Sequence, residues 1–274
     1  MTNPCILCNK QDADFDPYLC VSCANAIMWG GVTAQEGYRF IFAVLQSYLQ
    51  SVTEDKQKRD NVPPNVQAYF VAPAVNFHNA RRFHYFCRLA ENVRDIPGDI
   101  VECGVEYGQS LFYWCSIAFD DPMLRNVWGF DSFIGPQRIY GKDVGRDGTI
   151  VQPKEGFYDT DILKGFMSAL IFYGIPAVWL SSHLTLIKGF YSETLRLYTG
   201  KPIAILNLDT NYYDSYKTCL DVLYPKVVNG GLIIFDEYGS SHDLVNFAGA
   251  RRAIDEFAET TGEVIRQDKM YGKY

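Results

Sequence analysis

No apolar run in this chain approaches the ~20 residues that a bilayer-spanning helix needs. The opening Met1-Thr2-Asn3-Pro4-Cys5 has neither the basic stretch nor the apolar core of a secretory signal. Positive charge is short as well: 25 Lys and Arg stand against 32 Asp and Glu, a net charge of −7. That balance disfavours a nucleic-acid backbone as the main partner. Internal repeats and low-complexity tracts are missing. These absences together predict a soluble, cytoplasmic protein with no nucleic-acid and no membrane partner. What is plentiful is core material, with 48% hydrophobic and 15% aromatic residues over 274 positions. That is enough for one large domain, or one domain with an appendage.

Cysteine is not scarce, and four of the eight are paired by spacing. Cys5-x-x-Cys8 and Cys20-x-x-Cys23 can present four thiolates in a tetrahedron, the usual cage of a structural zinc. Disulfides or redox pairs are the rival reading, disfavoured in a reducing compartment. Iron also accepts four thiolates. Residues 1–30 hold too little apolar material to fold alone, so bound Zn2+ would supply their folding energy. Cys87, Cys103, Cys115 and Cys219 sit in apolar surroundings and read as core.

Residues 31–75 read as a helix and a linker. Thr33-Ala34-Gln35-Glu36 is a capping box opening a helix through about Gln50. The charged, proline-bearing stretch Ser51 to Asn65 follows. A second helix is predicted over Asn76 to Val93, with His78 and His84 read as ordinary helix residues. From Asp99 strands and helices alternate, which predicts an α/β fold with a mostly parallel sheet and helices on both faces over residues 76–274. The predicted strands are Ile100–Cys103, Val127–Phe130, Leu184–Lys188, Ile203–Leu208, Leu232–Phe235 and Glu263–Arg266. Ser132 to Gly165, with Gly135, Gly141, Gly145, Gly148 and Gly156, reads as a lid.

The first strand runs into Glu102-Cys103-Gly104-Val105-Glu106-Tyr107-Gly108-Gln109-Ser110, a glycine turn that lets a ligand approach the backbone. A pyrophosphate site wants bare N–H groups and no negative charge nearby. Glu102 instead suits a cationic ligand carrying an ammonium and a sulfonium. Asp131 ends the second strand, where a carboxylate can accept the hydroxyls of a ribose. Ribose contacts of this kind serve both NAD and S-adenosylmethionine, and Glu102 favours the latter. Asp209, Asp236 and Glu237 end two later strands. Three converging carboxylates repel unless a cation lies between them, and an all-oxygen set points to magnesium, with calcium or manganese behind it.

Several stretches then match a known family. They are Ile96-Pro97-Gly98-Asp99-Ile100-Val101-Glu102-Cys103-Gly104-Val105, Gly129-Phe130-Asp131-Ser132-Phe133 and Gly189-Phe190-Tyr191-Ser192-Glu193-Thr194-Leu195. Leu208-Asp209-Thr210-Asn211-Tyr212-Tyr213-Asp214-Ser215, Leu223-Tyr224-Pro225-Lys226, Gly230-Gly231-Leu232-Ile233-Ile234-Phe235-Asp236-Glu237-Tyr238-Gly239 and Arg252-Ala253-Ile254-Asp255-Glu256-Phe257 follow in order. Over roughly residues 77 to 260 the chain closely resembles the macrocin O-methyltransferase (TylF-type) family of S-adenosylmethionine-dependent sugar methyltransferases.

The resemblance implies a class I methyltransferase (Rossmann-like) fold and methyl transfer to a hydroxyl of a sugar or glycosylated small molecule. It implies that Glu102, Gly104, Tyr107, Gly108, Ser110 and Phe190 contact the cofactor and that Asp131 and Ser132 meet its ribose. It also implies that Asp209, Asp236 and Glu237 hold a divalent, Mg2+-like ion, with Asp209 catalytic as well. Asn211 stands where the family's motif has a second acid, and Asp236-Glu237 where an Asp-Asp pair is usual; both keep oxygen ligands. Relatives place a histidine before a Glu-Gly pair in the mobile segment, whereas here Lys154 precedes Glu155-Gly156. Lys154 could act as base only if burial lowered its pKa, and His183 and His242 are the other candidates. A homo-oligomer is expected. The rival readings are a non-catalytic scaffold using the zinc module for protein contacts, and a nicotinamide oxidoreductase. The second is disfavoured by Glu102 and by the lack of a full G-x-G-x-x-G after the first strand.

Overall fold

The central apolar runs of the sequence become the buried middle of a single parallel sheet. The computed structural model describes residues 77–135, 141–144, 166–167, 170–171, 174–239, 246–268 and 274. The chain divides into two compact units, Met1–Tyr85 and Phe86–Tyr274, and the sheet belongs to the second. The expected zinc module, the helix over 33–50, the linker and the greater part of the expected lid lie outside the described residues.

Helix α1 (Phe77–Asn92) leads through a turn to β1 (Asp99–Cys103). Next come α2 (Gln109–Phe119), β2 (Val127–Asp131), a short 3-10 turn at Gly141–Asp143, and α3 (Ala177–His183) running directly into β3 (Leu184–Lys188). The one-turn α4 (Tyr191–Thr194) precedes β4 (Ile203–Leu208), α5 (Tyr213–Leu223), β5 (Val227–Phe235) and α6 (Ala248–Thr261). The sheet order is β3-β2-β1-β4-β5, and every pairing is parallel. All residues of β1 and of β4 are buried, as expected of central strands covered on both faces. Phe130, Leu206, Leu208, Tyr216, Cys219, Leu220 and Ile254 join one core beneath them.

In this order the strand sequence reverses direction between β1 and β4, and ligands of such sheets bind at the carboxyl ends beside that point. The register places those ends side by side: Cys103 pairs with Phe130 on one flank and Leu208 on the other, and Leu208 pairs with Phe235. The opposite end is closed by buried polar groups. Asp99 accepts from the Lys201 amide (2.9 Å) and Trp128 Nε1 (3.1 Å), while buried Arg125 donates to the carbonyls of Gly98 (2.9 Å) and Val93 (2.6 Å).

Two strand expectations need correcting. β5 begins at Val227 rather than Leu232: Val227 already pairs with Ile203, and a register shift between Ile203 and Ile205 brings Leu232 opposite Ile205, leaving the residues between as a bulge within the strand. Glu263–Arg266 is not a strand. Its Val-Ile pair is locally strand-like, but a strand requires a partner, and the outer edge of β5 at Phe235 is bonded instead by the Tyr274 carbonyl (2.7 Å). Val264 is exposed accordingly.

Candidate active site

Gly104 leaves β1 with φ 93°, and Gly108 caps α2 in the left-handed region with φ 78°. Only glycine fits at the first position for a second reason. A Cβ on Gly104 would stand 1.7 Å from the Asp209 carbonyl oxygen. The turn after β1 and the loop after β4 therefore touch backbone to backbone, and the Asp209 amide donates to Cys103 O at 2.9 Å. Tyr107 is exposed at the tip of the turn, and Ser110 is buried in the first turn of α2.

Asp131 organises this turn. Its Oδ2 accepts the amides of Val105 (2.8 Å) and Glu106 (2.9 Å), and its Oδ1 accepts the Phe133 amide (2.7 Å). A carboxylate offers about four lone-pair sites, so three are already engaged by backbone. Ser132 donates to Gly135 O (2.6 Å) and accepts the Ile134 amide (3.2 Å). Phe190 precedes α4, and its carbonyl accepts from Thr194 Oγ1 at 2.9 Å.

Glu102 lies in β1 with no exposed surface, and its Oε1 accepts from Asn207 Nδ2 at 2.9 Å. The two residues face each other across the β1–β4 ladder. Asn207 was missed by the sequence reading. Its signal was a lone amide inside the apolar run Ile203-Ala204-Ile205-Leu206-Asn207-Leu208, since a buried polar side chain needs a partner.

The structure brings Asp209, Asp236 and Glu237 together: one carboxylate oxygen from each lies within 4.8 Å of the others. Glu237 is 3% exposed. Burial, and then the charges of Asp209 and Asp236, push its pKa well above the ordinary carboxylate value. Its Oε2 accepts from the Tyr216 hydroxyl (2.5 Å) and from the Asn211 amide (3.3 Å). Asn211 adopts φ 65°, a region asparagine tolerates better than most residues. Burial, and then Glu237, push the Tyr216 hydroxyl up, so it stays a donor. Asp143, also unforeseen, is buried and accepts the Tyr213 amide at 2.8 Å, tying the Gly141–Asp143 turn to the start of α5.

Other candidates fall elsewhere. His183 ends α3, so it sits at the amino end of β3, the edge opposite the carboxylates. There it stacks on Trp179 with ring centroids 4.8 Å apart. It is therefore no base for chemistry at the carboxyl ends. Lys154, His242, Cys5, Cys8, Cys20 and Cys23 lie outside the described residues. Cys103, Cys115 and Cys219 are buried core residues, and Cys87 is half-buried. Among the described residues no helix is long and apolar enough to cross a membrane.

With this geometry in hand, comparison with known proteins is specific. The family described as macrocin-O-methyltransferase (TylF) matches residues 72–268. A demethyldecarbamoylnovobiocin O-methyltransferase from Streptomyces niveus is 29% identical over 228 residues, covering 75% of this chain and 82% of that protein. An 8-demethyl-8-(2,3-dimethoxy-alpha-L-rhamnosyl)-tetracenomycin-C 4'-O-methyltransferase from Streptomyces olivaceus is 28% identical over 176 residues, 61% of this chain and 64% of that protein. Among solved structures, the O-methyltransferase NovP superposes with a TM-score of 0.52 at 27% identity, over 69% of this chain and 77% of its own.

Proposed function

This chain belongs to the macrocin O-methyltransferase family of S-adenosylmethionine-dependent methyltransferases, and we propose that it methylates a hydroxyl on a sugar or glycosylated small molecule with the help of a divalent cation. One observation carries the metal half of the reading. Three carboxylates from the ends of two neighbouring strands converge beside the glycine turn. An all-oxygen set of this charge fits a hard cation, Mg2+ before Ca2+ or Mn2+. The tetracenomycin relative, whose name specifies a rhamnosyl group, supports a sugar acceptor.

The roles of the residues follow from their places. Glu102 supplies a fixed negative charge at the root of the turn, suited to an ammonium group, and Asn207 holds that carboxylate in one orientation. Gly104, Tyr107, Gly108 and Ser110 form the cradle for the methionine end of S-adenosylmethionine, with Phe190 beside it. Asp131 holds the cradle's backbone and keeps one lone-pair site for a ribose hydroxyl, with Ser132 adjacent. Asp209, Asp236 and Glu237 would hold the cation, which when bound lowers the pKa of a coordinated hydroxyl and fixes its direction. Since transfer from a sulfonium to oxygen is an in-line displacement, the shared backbone contact of Gly104 and Asp209 matters: it sets donor cradle and acceptor site at one spacing. Lys154 or His242 would take the remaining proton. Cys5, Cys8, Cys20 and Cys23 would hold a structural Zn2+. A homo-oligomer working in the cytoplasm completes the reading.

The test is mass spectrometry of small-molecule acceptors incubated with the full chain and methyl-labelled S-adenosylmethionine. Nucleotide-linked deoxysugars and glycosylated aromatic compounds should gain one labelled methyl per hydroxyl modified. Labelling confined to acceptors with no sugar hydroxyl would contradict the assignment of substrate class.

A further inference from the structure

Tyr216 belongs to no motif that first pointed to the site, yet its hydroxyl reaches the acid cluster from beneath. The side chain is fully buried in α5, with its ring against Phe235 at 6.3 Å between centroids. Its oxygen lies 2.8 Å from Leu208 O and 2.5 Å from Glu237 Oε2. The hydroxyl has a single proton, and the acceptor at the shorter distance, Glu237 Oε2, draws it. The Asn211 amide is directed at the same Oε2. One carboxylate oxygen carries two lone pairs, and here both are met by donors that the fold holds in place. Oε1 is then the oxygen of Glu237 left to face a cation.

Resting on the metal reading above, we infer that Tyr216 is a positioning residue that makes Glu237 a one-oxygen ligand and so tunes the site toward a small six-coordinate cation over calcium. Mg2+ takes near-ideal octahedral geometry with single oxygens and retained waters. Ca2+ collects six to eight oxygens and readily uses both oxygens of one carboxylate. Locking Oε2 away removes the ligand that calcium would use and costs magnesium nothing. The site's departure from a second aspartate is thereby offset, because the longer Glu237 side chain is tied back by a residue long enough to reach it.

Calorimetric titration of the full chain with MgCl2 and with CaCl2, in the presence of S-adenosylhomocysteine, tests this on Tyr216→Phe. Mg2+ affinity should fall about tenfold, the scale seen when a ligand's supporting hydrogen bond is lost. Ca2+ affinity should fall less or rise, so the Mg2+/Ca2+ preference narrows while S-adenosylhomocysteine affinity holds. Unchanged affinities, or a parallel fall for both ions, would overturn the inference by leaving Tyr216 a structural role only. Should the variant not fold, infrared difference spectra of the wild-type chain carrying glutamate labelled at the side-chain carboxyl isolate Glu237, since the other two proposed ligands are aspartates. Mg2+ should widen the separation of its carboxylate stretches, as single-oxygen binding does; a narrowed separation overturns the inference. Wild-type chain that binds neither ion would overturn the metal reading itself, a result distinct from an unaltered preference in the variant.

Discussion

The carbonyl oxygen of Asp209 occupies the space that a side chain on Gly104 would need, 1.7 Å from an ideal Cβ. The two loops proposed to carry the donor cradle and the acceptor site are thus one contact apart. Gly104→Ala should therefore damage both at once. Gly262 is the control, since it also has positive φ, at 77°, but has open space around its missing Cβ. Gly262→Ala should cost about 1–2 kcal/mol of stability, the strain of a left-handed residue alone. Gly104→Ala should cost clearly more in urea unfolding and should weaken S-adenosylmethionine and Mg2+ binding together. Equal losses for the two variants would show that the close approach is not a constraint.

Asn207 and Glu102 separate stability from binding. Asn207→Leu removes one hydrogen-bond partner of a fully buried carboxylate and should cost about 1–3 kcal/mol. Replacing both residues with apolar groups of similar size should regain most of that stability, because no buried polar group is left short of a partner. The double variant Glu102→Met with Asn207→Leu should nevertheless bind S-adenosylmethionine poorly in calorimetry, having lost the charge beside the turn. Tight binding by that double variant would remove Glu102 from the site.

The raised pKa of Glu237 gives the site a pH signature. Burial and the neighbouring Asp209 and Asp236 make its charged form unfavourable in the folded, metal-free chain. The folded chain then holds a proton that the unfolded chain has released. Metal-free stability should accordingly fall as pH rises above the ordinary carboxylate range. A bound cation reverses the sign by favouring the ionised form. In thermal melts, the gain in Tm on adding Mg2+ should be small near pH 5 and larger near pH 7.5. A gain that shrinks with rising pH would contradict the proton count.

Thiol chemistry divides the cysteines. Burial pushes Cys87 up to about 11 and holds Cys103 and Cys115 higher still. Thiolate is the reactive form, so these three should stay silent toward iodoacetamide at pH 8 until the chain unfolds. Elemental analysis should find about one zinc per chain, released with loss of labelling protection at Cys5, Cys8, Cys20 and Cys23. Metal-free chain with those four thiols protected by pairing would favour disulfides.

Strand positions were legible where a strand is central, because β1 and β4 are buried on both faces and read as mostly apolar runs, interrupted only by Asp99, Glu102 and Asn207. Legibility failed at the β5 edge. The expected strand began at Leu232, yet Val227 already pairs with β4 ahead of a bulge at the register shift, and Glu263–Arg266 looked like a strand but is not one. The carboxylate cluster was legible since each acid follows a strand in a parallel sheet, whose carboxyl ends must converge. Which partners would hold Glu237 and Glu102 was not, because Tyr216 and Asn207 act across elements and leave no periodic trace. Asp131 shows the same limit: its position was readable, while the three amides it gathers depend on how the turn folds back.

Methyl transfer measured with and without chelator tests the central claim most directly. Labelled methyl incorporation into a sugar-bearing acceptor should stop in EDTA, return with Mg2+, and be absent in Asp209→Ala even though that variant still binds S-adenosylhomocysteine. Incorporation that continues unchanged in EDTA and in Asp209→Ala would contradict a metal held by Asp209, Asp236 and Glu237.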